Sequence, residues 1–106
     1  MNTDKIRELI NEREQIDEEE YWTLEKFDIK ISNYLSENMD TTIFFLKKKC
    51  SGLDLATLSE TFHLVAKKSQ SIDFVNAIYE TALKFPKETE DYNLLYFIEN
   101  ARRCIK

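Results

Sequence analysis

The chain contains one glycine, Gly52, and one proline, Pro86, in 106 residues. Antiparallel sheets reverse direction through turns built on Gly, Pro, Asn and Asp, and α/β folds need glycine at their crossovers. So little punctuation predicts an all-α chain of helices joined by short polar loops. Apolar residues make up 42% and include seven Phe, five Tyr and one Trp, enough bulk to exclude disorder and to give one core. The expected organisation is a single helical domain over residues 1–106.

Cap residues and apolar spacing divide the chain into about six helices. The first runs from about Asp4 to Gln15, with Thr3 as N-cap and Ile6, Leu9, Ile10 and Arg13 on one face. The second starts near Asp17, whose carboxylate can cap, and Glu18, Glu19 and Glu20 suit the positive end of its dipole. It runs to about Glu37 with Tyr21, Leu24, Phe27, Ile31, Tyr34 and Leu35 as its inward stripe. A third follows Asp40 and ends at Gly52, read as a positive-φ C-cap; its consecutive Ile43, Phe44, Phe45 and Leu46 predict cover on more than one side. The fourth spans about Asp54 to Lys68, the fifth Ile72 to Phe85 behind the Ser71 cap, and the sixth about Glu88 to Ile105.

Loops of two to four residues predict antiparallel hairpins, stacked as a HEAT-like array or an irregular bundle. The even-numbered helices echo one another at a spacing of 35: Phe27, Phe62 and Phe97, then Ile31, Ala66 and Ala101, then Lys67-Lys68 and Arg102-Arg103. Three stacked hairpins would give that recurrence, and so would chance in amphipathic helices.

Reactive groups are sparse. His63 is the only histidine and lies beside its helix's apolar stripe, so a His-based metal site cannot be built, and one glycine cannot make a phosphate-cradling loop. Cys50 and Cys104 are read as free thiols, with nothing nearby in sequence to activate either. The expectation is a binding protein, not an enzyme, with no cofactor and no metal. Residues 1–13 lack an apolar leader and no run reaches membrane-spanning length, so the expected location is the cytoplasm.

Charge gives the binding a direction. Residues 1–40 carry 12 acidic and 5 basic side chains, and 41–106 carry 8 and 10, so the net charge of −5 belongs to the N-terminal third. That third repels nucleic acid and attracts basic surfaces. Its densest run, Glu12, Glu14, Asp17, Glu18, Glu19 and Glu20, is either a solvated acidic segment or a docking patch. Trp22 and Ile29, seven residues apart, sit almost opposite the Leu24–Phe27–Ile31 stripe and beside Glu18 and Glu25. They are either interface anchors or are covered by the first or third helix. The candidate partner-binding set is therefore Glu14, Asp17, Glu18, Glu19, Trp22, Glu25 and Ile29. The basic residues Lys47 to Lys49, Lys67, Lys68, Arg102 and Arg103 fall at helix C-terminal turns, where the dipole favours cations without any RNA-binding role.

The run Thr42-Ile43-Phe44-Phe45-Leu46, then Leu58-Ser59-Glu60-Thr61-Phe62, Lys68-Ser69-Gln70-Ser71, Phe74-Val75, Lys84-Phe85-Pro86 and Ile98-Glu99-Asn100-Ala101-Arg102 resembles small helical immunity proteins of bacterial polymorphic-toxin and contact-dependent growth inhibition systems. The resemblance covers roughly two thirds of the chain and rests on apolar spacing and the Lys-Ser-Gln-Ser and Lys-Phe-Pro punctuation. It implies a cytoplasmic protein that binds a cognate toxin domain, often a nuclease with a basic cleft, and blocks it by stoichiometric contact. A monomer in that complex is expected over an obligate oligomer. The alternative is a helical adaptor or regulatory module unrelated to toxins.

Overall fold

The structure, a computed structural model, describes residues 2–106. The first helix, α1 (Asp4–Glu14), buries Ile6, Leu9 and Ile10 on one stripe, as their spacing requires. Thr3 occupies its N-cap position, but the side chain that closes the end is Asn2, which accepts from the Asp4 amide. After a six-residue connection, α2 (Tyr21–Glu37) and α3 (Met39–Lys48) form a hairpin pinched at Asn38. There Thr42 Oγ1 donates to the Leu35 and Asn38 carbonyls, tying α3 to the orphan end of α2.

The sequence predicts one helix over residues 54–68; the chain instead forms α4 (Gly52–Leu58), a 3-10 turn (Ser59–Thr61) and α5 (Phe62–Ser69). The break has a local cause. Ser59 Oγ donates to the Ala56 carbonyl and Thr61 Oγ1 to that of Leu58, so two buried hydroxyls compete for the helix's own acceptors. Next, α6 (Ile72–Leu83) begins as expected on Ser71, whose hydroxyl accepts from the Phe74 amide. The expected sixth helix is also split, into α7 (Pro86–Asp91), which Pro86 starts, and α8 (Leu94–Arg103). Asn93 between them takes a left-handed φ of 53°, which asparagine tolerates better than most residues. Gly52 is not the positive-φ cap expected of it. It opens α4, where the flexible Glu88 side chain of α7 lies over it; a Cβ there would come within 2.7 Å of that side chain and displace it.

The eight α-helices of the described residues pack in three rows. α1, α4 and α7 make one row; α2, α5 and α8 a second; α3 and α6 a third. The 35-residue echo is the register of this packing. Lys68 Nζ donates to Asn33 Oδ1 between α5 and α2, and Thr81 Oγ1 donates to the Leu46 carbonyl between α6 and α3, each across 35 positions. Gln70 Nε2 reaches the Cys104 carbonyl across 34. Between α1 and the α4–3-10 segment the offset grows to 47, in Arg7 with Asp54 of α4 and Arg13 with Glu60 of the 3-10 turn. The first unit has the longer first helix and the acidic connection Gln15–Glu20, which is therefore an insertion relative to the second unit.

The core lies between the rows and includes Leu35, Phe45, Leu55, Phe62, Phe74 and Ile98, with Phe62 edge-on to Phe74. Ile43 is half-buried against it and Phe44 is half-buried on α3, in keeping with the cover expected for that helix. No helix among the described residues is long and apolar enough to cross a membrane.

Candidate functional site

The insertion and the break at Ser59–Thr61 together open a groove. In the 35-residue register Phe62, the first residue of α5, answers to Phe27, so α2 before Phe27 runs alongside only the narrower 3-10 turn as it bends into α4. That leaves the first turns of α2 uncovered. Trp22 is 79% exposed, and neither α1 nor α3 buries it. Tyr21, expected in the inward stripe, is 76% exposed for the same reason.

A groove of about 1040 Å³ is lined by Trp22 and Tyr21 together with Tyr92 and Phe97. A hollow of about 340 Å³ continues it past Leu53. Of the candidate residues, Glu14, Glu18, Trp22 and Glu25 line the groove. Asp17, Glu19 and Ile29 do not. Asp17 Oδ1 accepts from the Glu19 amide within the connection, so the residues expected to start α2 form the turn that precedes it. Ile29 is half-exposed further along α2.

Two further carboxylates of the groove, Asp28 and Glu60, are held by a single arginine. Arg13 Nε donates to Asp28 Oδ1 at 2.6 Å, and Nη2 to Asp28 Oδ2 at 3.2 Å and Glu60 Oε2 at 2.7 Å. This fork joins α1, α2 and the 3-10 turn with both Arg13 and Asp28 largely buried. The Asp28 hydrogen bonds outweigh burial and hold the Arg13 pKa above its ordinary value. Among the described residues Arg13 is the only cation lining the groove and is occupied by Asp28 and Glu60, so Glu14, Glu18 and Glu25 line it without an ion pair, Glu14 Oε1 accepting only from Thr57 Oγ1 at 3.4 Å. The surface offers carboxylates beside aromatic faces, a pairing suited to guanidinium and ammonium groups.

Sequence reasoning missed Tyr21, Glu60, Tyr92 and Phe97 as groove residues. Two signals pointed to part of it: Arg13 on an apolar stripe demands a buried carboxylate, and Phe97 continues the Phe27–Phe62 series. Nothing local marked Tyr92, which the split between α7 and α8 brings to the rim.

Other ionisable groups have structural surroundings. Burial alone would raise the Asp54 carboxyl, but its bonds from Arg7 (2.6 and 2.8 Å) and from the Ser51 amide bring it below its usual value. Burial, aided by Asp54, pushes the Cys50 thiol up to about 12, which makes it a poor nucleophile. His63 is exposed on α5, and no three His, Cys, Asp or Glu side chains among the described residues gather as a metal site.

The chain matches no protein-family model, no curated protein and no solved structure. Its fold and groove define it as an all-helical chain in three-row packing, with an acidic, aromatic-lined groove at the start of α2.

Proposed function

We propose that the chain is a protein-binding inhibitor that seats a basic surface of its partner in the groove, as an immunity protein does with a toxin domain. The observation that carries the binding reading is the coincidence of Trp22 and Tyr21, both more than three quarters exposed, with three carboxylates in one groove that no cation of the described residues neutralises. Exposed Trp and Tyr are costly to leave in water and are favoured as anchors in interfaces. The carboxylates add steering of a cationic partner and charge-assisted hydrogen bonds once it docks. The toxin as partner rests on the sequence resemblance, and the cytoplasm as the place of action goes with it. In this reading the inhibitor occludes a basic cleft, such as that of a nuclease, by presenting carboxylates where the substrate's phosphates would lie.

The test is co-expression with the toxin domain encoded beside this gene. The proposal predicts protection of the cells, co-purification in a one-to-one complex, and loss of both in Trp22→Ala combined with Glu25→Lys. Failure of the unmodified chain to protect and to co-purify would contradict it.

A further inference from the structure

The third row is shorter than the other two. α3 packs on α6, and among the described residues no further helix continues that row beyond the far side of α6. That side is not polar, as the ends of helical arrays generally are. Ile72, Tyr79 and Leu83 are 47%, 41% and 61% exposed. At 100° per residue they share one stripe with Asn76, roughly opposite Ala77 and Thr81, and Thr81 bonds to α3. α8 lies against α6 and adds Leu95, 51% exposed, with Arg102 seven residues on along the same flank.

We propose that this end face pairs with the same face of a second copy of the chain, about a two-fold axis that sets α6 antiparallel to the partner's α6. The stripe is nearly palindromic: with the axis between Ala77 and Ile78, Ile72 meets the partner's Leu83, and Asn76 meets the partner's Tyr79. The flanking charges favour the same arrangement. The end of the face at the start of α6 receives the C-terminal end of α8, which Gln70 bonds; there Arg102, Arg103 and Lys106 outnumber the carboxylates Asp73 and Glu99, the latter 3.7 Å from Arg102 Nε. The opposite end carries α7, with Glu88, Glu90 and Asp91 against Lys87. On α7, Glu88 sits over Gly52 of α4, so Glu90, about half a turn round, faces away from α4 and toward the open end. A two-fold axis lays each basic end on the partner's acidic end, and its isologous contact closes without forming a filament. The pairing also continues an interface already present, since α6 then packs on α3 on one side and on a helix on the other. The groove, lined by residues from Arg13 to Phe97, includes none of Ile72, Asn76, Tyr79, Leu83 and Leu95.

Sedimentation analysis of the full chain tests it. The apparent mass should rise from monomer toward dimer as concentration is raised about 100-fold. Leu83→Glu, at an exposed position that folding does not require, should stay monomeric over the same range with unchanged helical circular dichroism. Arg102→Glu should weaken the dimer at least tenfold, and adding Glu90→Arg should restore it. A wild type that remains monomeric throughout overturns the proposal. So does a dimer that Leu83→Glu leaves intact, growth beyond dimer, or a failure of the charge exchange to restore pairing.

Discussion

Arg13 shows how one residue can hold a site open. On sequence it is a cation on an apolar stripe, which is tolerable only if its charge finds a partner inside. The structure supplies Asp28 and Glu60, from two elements that otherwise diverge around the groove. Arg13→Ala strands the buried Asp28 carboxylate, and such a broken pair costs about 3 kcal/mol. For a chain of this length that lowers Tm by roughly 15 °C. Glu60→Gln removes only the exposed arm of the fork and should cost less than about 1 kcal/mol. Thermal unfolding of the two variants checks both values; equal losses would mean that Arg13 does not act through Asp28. The other arginine on α1, Arg7, was not on the expected apolar stripe, and its partner Asp54 lies 47 residues away. No local pattern announces such a pair.

At the scale of elements, helix ends carry much of the account. The boundaries legible in sequence include the start of α6 behind the Ser71 cap and the end of α6 ahead of Pro86, whereas the next helix begins at Pro86 itself and not near Glu88. The two unexpected breaks, at Ser59–Thr61 and at Asn93, need a choice between local bonds and helix continuation that tertiary packing decides. The best-defined cap is at α4, where Ser51 and Asp54 bond each other's amides and Asp54 also holds Arg7. Asp54→Asn should cost about 2 kcal/mol from the weakened cap and the lost charge pair. It should also change the pH dependence. Because the folded-state pKa of Asp54 is lowered, its stabilisation is complete above the unfolded carboxylate value of about 4 and is lost as pH falls through the folded value. Chemical denaturation of wild type and Asp54→Asn between neutral and acid pH should show the two stabilities converging as pH falls. A constant gap would assign the cost to packing.

At the scale of the whole molecule, the all-helical class and the core were open to sequence reasoning, because near absence of Gly and Pro and the apolar spacing are statements about every helix at once. The row packing was visible only as an echo at 35 residues, which could not be told from chance until Lys68 was seen to reach Asn33 and Thr81 to reach Leu46. The site was half legible. Glu14, Glu18, Trp22 and Glu25 share the groove, whereas its Tyr92 and Phe97 come from some 70 positions away. The account's central claim is that this groove is a docking site for a cationic protein surface. It is tested most directly by titrating the chain with a deca-arginine peptide while recording Trp22 fluorescence and backbone amide shifts. The account predicts saturable, salt-sensitive binding, a change in indole emission, and shifts concentrated at residues 13–28, 56–60 and 92–97. Trp22→Ala should weaken it at least tenfold. An unperturbed indole, with shifts absent or scattered evenly over the acidic surface, would contradict it.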